Sequence, residues 1–201
     1  MSRARRIADD AVLDRALAVF WRSGYAATSL RALAEATGLG AAALYHRFAD
    51  KDGLFLAALR RYADQGLGER LARLAAMDAP LAAIRSFFDD LVELSANDPE
   101  RRGCLLVNTA LDGATLSDAA RAEVRARLGE VEGFFRARLL HARAAGQLDP
   151  AIDPDATAEA LLGTVFAIRV LARLDPEPAR LRRLAAHALA PLVPSCQKAT
   201  P

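Results

Sequence analysis

Apolar residues recur at intervals of three and four along most of this chain, with polar residues between them and Gly or Pro at the joints. From Asp9 to about Ser23, the positions Val12, Leu13, Ala16, Val19 and Phe20 form one helical stripe, which Gly24 closes. Thr28 or Ser29 then caps a short helix over Leu30 to Thr37, stopped by Gly38. Gly40 opens another short helix through Ala43, Leu44 and Tyr45, ending near Phe48. Asp50 caps a fourth, longer helix that carries Leu54, Phe55, Leu59 and Tyr62. Further helices are predicted from Pro80 towards Asn97, from about Arg101 to Leu111, and from Ser117 to Gly146, with Asp98-Pro99 as a break. Asp153-Pro154 starts one that reaches Leu174, and Pro176 to Pro178 separates it from a last helix ending near Pro191. Alternating β-branched runs are missing. The pattern predicts an all-α protein of about nine helices.

Composition narrows the class. Of the 201 residues, 53% are hydrophobic and 26% charged, which describes a folded globular chain rather than a disordered one. The formal net charge of +2 says little, but its distribution says more. Residues 1–62 carry ten Lys/Arg against six Asp/Glu, and residues 63–201 carry seventeen against nineteen. A basic head on a slightly acidic body suits one end meeting a polyanion. The basic N-terminus MSRARRIADD has no apolar run behind it, so no signal peptide is expected. Arg169 and Arg173 interrupt the most apolar stretch, Leu161 to Leu174, so no span is expected and the chain reads as cytoplasmic. Cys104 and Cys196 form neither a disulfide framework nor a metal-ligand spacing.

The informative stretch is residues 28–48, TSLRALAEATGLGAAALYHRF. A capped short helix, a turn centred on Leu39 with glycine on both sides, and a second short helix make a helix-turn-helix. Ala34 is small enough for close packing, Gly38 tolerates a left-handed turn, and Leu33, Leu39 and Leu44 can plug the shared core. The second helix is then free to enter a major groove.

The pieces AVFWRSGYAATSL, TGLGAAALYHRF and ADKDGLF follow one another in one contiguous stretch, and residues 9–60 resemble the TetR family of transcriptional regulators. The resemblance implies an N-terminal three-helix DNA-binding domain (1–52), a helical effector-binding and dimerisation domain (53–194) and a tail (195–201). It implies a repressor on a palindromic double-stranded DNA operator, a homodimer paired through the last two helices, and release by a small, mostly apolar effector. No cofactor is implied. Thr28 and Arg31 would contact the backbone or groove edge, Ala41 and Ala42 start the recognition helix, Tyr45 and His46 would reach phosphates or a base edge, and Lys51 would bind phosphate. Arg3, Arg5 and Arg6 would form a basic arm along DNA, or else a solvated tail. Tyr45 has a plainer alternative role in packing the motif. One departure matters: Gly40 and Ala41 stand where the family often carries a polar pair, so base reading would lean on methyl contacts, Arg31 and DNA shape.

The remainder is less specific. Ala160, Gly163, Thr164 and Ala167, with Leu181, Leu184, Ala188 and Leu192, offer faces for pairing, although any core helix shows such stripes. Phe87, Phe88, Leu91, Leu105, Asn108, Thr109, Phe134, Phe135, Arg138, Phe166 and Arg169 are candidates to line an effector pocket, with plain packing the competing role for each. Asn108 and Arg169 stand out as polar groups within apolar helices, and Arg169 fits either an anionic effector or a salt bridge. Cys104, in RRGCLLVNTALD, looks like a Gly-Cys-Leu motif of some TetR-type regulators. Beside Arg101 and Arg102 it is a candidate redox- or electrophile-sensing thiol, against the plainer reading of an inert small hydrophobe. An enzyme is disfavoured, since no phosphate-cradling glycine loop, nucleophile motif or metal-binding set occurs and His46, His141 and His187 lie far apart. A helical adaptor that does not touch DNA is the third class.

Overall fold

The computed structural model describes residues 3–192, with side chains for 9–113 and 115–192. The arm of Arg3, Arg5 and Arg6, Cys196 and the tail at 195–201 therefore lie outside the described side chains. The α-helices are α1 (Arg3–Ala27), α2 (Leu30–Thr37), α3 (Ala41–Phe48), α4 (Lys51–Tyr62), α5 (Glu69–Ala75), α6 (Pro80–Ala96), α7 (Leu105–Leu111), α8 (Asp118–Ala144), α9 (Pro154–Leu174) and α10 (Pro178–Leu189). A π-turn at Ala63–Gly68 joins α4 to α5 without a break, so the described residues form nine helical rods. The chain is all-α, as its hydrophobic spacing predicted.

Three local details depart from the pattern. Gly24 (φ 75, ψ 165) interrupts the helix as expected, but one more turn follows it to Ala27. The helix from Asp50 continues through the π-turn to Ala75, where no element was predicted. The helix expected from Arg101 starts only at Leu105, because the Asp98 carboxylate accepts the amides of Glu100 (3.2 Å) and Arg102 (2.6 Å). That turn holds Arg101 (φ 50) and Gly103 (φ 72) in left-handed backbone, leaving Cys104 as the N-cap.

The helices fall into two compact units. The first comprises residues up to Gly68 and Cys104–Arg127; the second comprises Glu69–Gly103 and Leu128 onward. In the first unit, Val12, Ala16, Val19 and Phe20 of α1 bury against Leu54, Phe55, Ala58 and Leu59 of α4. Phe20 and Phe55 meet edge to face at 4.9 Å. In the second unit, Phe87 and Phe88 of α6 interlock with Phe134 and Phe135 of α8, with ring centres 4.9–6.0 Å apart. The buried side of α9 (Ala158, Leu161, Val165, Ile168) packs on α6 and α10.

Surface ion pairs fasten α4 to α1. Arg61 grips Asp14 through two bonds, at 2.6 and 2.8 Å, and reaches Asp10 at 2.9 Å. The Arg61 hydrogen bond holds the Asp14 carboxyl below its ordinary value. A carboxylate with a depressed native pKa stabilises the fold above its unfolded pKa and loses that contribution as pH falls through the native one. Asp14→Asn should therefore cost about 0.5 kcal/mol at neutral pH, a surface-pair magnitude. Denaturation curves of the variant and the parent should converge in acid.

Candidate nucleic-acid interface

Residues 28–48 fold as the helix-turn-helix that their spacing implied. Ser29 is the cap: its Oγ accepts the Ala32 amide at 3.1 Å. Gly38 ends α2 in the left-handed conformation (φ 71) and returns its amide to the Ala34 carbonyl at 3.0 Å. Thr37 Oγ1 donates to Leu33 O at 2.7 Å and accepts the Leu39 amide at 3.4 Å, which stiffens the turn. Arg15 of α1 adds a bond to Thr37 O at 3.4 Å. Leu33 and Leu44 are fully buried plugs between the helices, while Leu39 is half-buried.

With Leu44 turned inward and Phe48 half-buried, the other side chains of α3 face out. Ala41, Ala42, Ala43, Tyr45, His46 and Arg47 are exposed, and so is the preceding Gly40. Tyr45 is 41% exposed, which leaves part of its ring open to solvent. Arg31 projects from α2 and is restrained only by an i,i+4 pair with Glu35 at 3.0 Å, a weak surface interaction. Thr28 behaves differently. It is 3% exposed, and its hydroxyl donates to Gly24 O at 2.6 Å, so the groove contact that the resemblance implied for it finds the side chain already engaged.

Two residues separate α3 from α4, and they make a sharp reversal. Ala49 sits at φ 69, ψ −55, and the Asp50 amide donates to Phe48 O at 2.9 Å across it. This is a classic-type γ-turn, an uncommon and strained conformation for a residue with a Cβ. Asp50 then caps α4 by accepting the Gly53 amide at 2.7 Å. The reversal drives Phe48 O so close to Gly53 that a Cβ there would lie 1.9 Å from it. Only glycine fits.

Lys51 therefore starts α4 just beyond the recognition helix, as expected, but with a support the sequence did not reveal. Its Nζ lies 4.4 Å over the Tyr25 ring, a cation–π contact, and the Tyr25 hydroxyl donates to Asp52. Partial burial pulls the Lys51 ammonium below the usual lysine value. Tyr25 thus forms an aromatic platform beneath the lysine read as phosphate-binding. A tyrosine one position after a helix-kinking glycine was the only sequence signal for it. Arg47 also reaches the exposed side and pairs with Asp9 at 3.1 Å.

The candidate pocket residues divide between the units. Leu105 and Thr109 are buried and Asn108 half-buried on α7 of the first. In the second, Phe87, Phe88, Phe134 and Phe135 come together, Leu91 is buried on α6, and Phe166 is half-buried on α9. Arg138 donates to Ala75 O at 3.0 Å, leaving its buried Nε without an acceptor among the described residues. Arg169 is buried and bonds Ser95. Cys104 is half-buried, with the Tyr62 hydroxyl 3.6 Å from its Sγ. The two arginines beside it in sequence are engaged elsewhere: Arg102 with Asp98 at 3.3 Å, and Arg101 with Leu174 O at 3.4 Å. Among the described residues, no three His, Cys, Asp or Glu side chains gather as a metal would require.

A buried-plug helix-turn-helix with an outward second helix and a lysine beside it defines a DNA-binding module. Residues 12–58 match the family model described as bacterial regulatory proteins, tetR family, and residues 80–188 match the tetracyclin repressor-like C-terminal domain. The chain is 30% identical over 181 residues to the HTH-type transcriptional repressor ComR of Escherichia coli K12, covering 90% of this chain and 86% of ComR. It is similar to the TetR family regulator CifR, a cysteine mutant bound to 26-bp operator DNA (TM-score 0.82, 32% identity, 90% of this chain and 95% of that one). A TetR regulator from Chloroflexus aurantiacus gives a TM-score of 0.84 at 28% identity, covering 94% and 96%. The chain belongs to the TetR family and is a DNA-binding transcriptional regulator.

Proposed function

We propose that this chain is a cytoplasmic homodimeric repressor, not an enzyme, released from a palindromic operator by a small, mostly apolar effector. The observation that carries the reading is the exposed face of α3 set beside Lys51. In this reading α3 enters the major groove, Gly40, Ala41 and Ala42 approach the bases, Tyr45 and His46 meet phosphate or a base edge, and Arg31 reads from α2. Two-fold pairing would put the two α3 helices about 34–36 Å apart, one turn of DNA. The exposed small residues Ala160 and Gly163 on α9 support pairing there. Leu181 of α10 and Leu192 just beyond it are buried within their own unit, so Leu184 and Ala188 are left for a partner. The aromatic cluster of the second unit supplies the apolar surroundings for an effector. No helix among the described residues is long and apolar enough to cross a membrane, which agrees with a cytoplasmic location.

The test is binding of the purified protein to its own upstream DNA, titrated against salt. Tight, sequence-selective binding with a steep salt slope supports the reading; failure to select any site from random DNA ends it. The methyl-lined start of α3 makes a further prediction. Ala42→Gln introduces an amide able to pair with adenine, so the preferred bases should change when binding sites are selected from random DNA. An unchanged preference would remove Ala42 from the base-reading surface.

A second reading has one observation in its favour. Cys104 caps α7, its Sγ contacts Tyr62 at the end of α4, and the Tyr62 ring packs edge-on against Trp21 of α1 at 4.9 Å. A thiol modification there would push directly on the helices that carry the DNA-reading motif. Unchanged operator affinity after alkylation of Cys104 would dispose of this sensor role.

A further inference from the structure

Arg169 projects from the buried side of α9 and is only 9% exposed. One guanidinium nitrogen, Nη1, donates to Ser95 Oγ at 3.1 Å. Ser95 is 4% exposed and already donates its own hydroxyl hydrogen to Leu91 O at 2.6 Å. Among the described residues no carboxylate pairs with Arg169, and no second acceptor meets it. A guanidinium offers five N–H donors and stays charged, so the bond to Ser95 engages only part of its hydrogen-bonding capacity. The closing turn of α6, which carries Ser95, supplies about half a negative charge, too little to neutralise it. Burying a cation in this state costs stability unless an anion completes the arrangement.

Nearby arginines are handled otherwise. Arg102 has Asp98, and Arg101 has the Leu174 carbonyl. The stem of Arg173 lies under Gly103, where a Cβ would approach it to 2.9 Å, so the 98–103 turn is pressed onto the end of α9 beside Arg169. Further along the same buried stripe of α6 lie Leu91, Phe88 and Phe87. A polar end at Ser95 and Arg169 thus continues into an apolar, aromatic stretch.

We propose that Arg169, with Ser95, is an oxyanion subsite that anchors the carboxylate or phosphate group of an effector whose body is apolar. The proposal rests on the second unit being the effector domain, and it makes that effector an amphipathic anion. The guanidinium would donate its free N–H groups to the anion, while the Ser95 hydroxyl holds the guanidinium in place.

The experiment is thermal unfolding of the full chain with octanoate, octanamide or inorganic phosphate, for the parent and Arg169→Gln. Octanoate or phosphate should raise the parent Tm by roughly 5 °C at saturation, the better probe identifying the anion class, and octanamide should not. Arg169→Gln should abolish the shift. An equal response to octanamide, a shift retained in Arg169→Gln, or no response of the parent to either anion overturns the proposal. The octanoate–octanamide comparison needs no variant, so it decides the matter even where Arg169→Gln does not fold. Operator binding of the parent, measured separately, tells failure of this subsite from failure of the regulator reading.

Discussion

Gly53→Ala should abolish operator binding and destabilise the chain by about 3 kcal/mol, the upper range for overpacking at a rigid site. The obstacle is a backbone carbonyl, Phe48 O, which would lie 1.9 Å from the new Cβ. A flexible side chain could swing away; a carbonyl held in a γ-turn cannot. Relief would require α4 to separate from the C-terminal end of α3, opening the turn at Ala49 and the Asp50 cap on the Gly53 amide. The position and tilt of the recognition helix depend on that junction. Urea denaturation checks the stability loss, and a gel-shift titration checks the binding. A variant as stable as the parent would show that the junction relaxes freely.

The second large effect is expected at Lys51. Lys51→Ala should weaken operator binding about thirtyfold at moderate salt, because under the proposed function a two-fold dimer would lose two phosphate contacts of roughly 1 kcal/mol each. The loss should be nearly uniform across sequences, and the slope of log K against log salt should fall by about 2. Tyr25→Leu separates position from charge. It keeps the lysine but removes the ring 4.4 Å beneath Nζ and the hydroxyl bound to Asp52. Affinity should drop with the salt slope largely preserved. If Lys51→Ala leaves the slope unchanged, Lys51 does not meet phosphate.

Much of the DNA-reading head was legible in the order of residues, for local reasons. Ser29, Gly38, Asp50 and the plugs Leu33 and Leu44 act within a turn or two of their own position, so their identities predict caps, stops and buried faces directly. The same locality explains the helices from Pro80 and Pro154, each with proline in its first turn. Where the reading strayed, something beyond the helical period decided. The continuation from Tyr62 to Ala75 runs through ADQGLG, whose two glycines look like a stop, yet the backbone adopts a π-turn instead. The late start of α7 came from one carboxylate, Asp98, capturing the amides of Glu100 and Arg102, the second of which the apolar pattern counts as helical.

The sequence by itself determined the helices, the helix-turn-helix and the family, because hydrophobic period, capping residues and glycine stops are written in neighbouring positions. Only the tertiary structure decided which side chains were free to act. It buried Thr28 and occupied its hydroxyl, placed Lys51 over a ring 26 residues away, and left Arg169 enclosed with a single serine partner from another helix. The physical reason is that exposure, ion pairing and the cost of a buried charge depend on what long-range packing brings alongside a residue, and no local pattern encodes that neighbour.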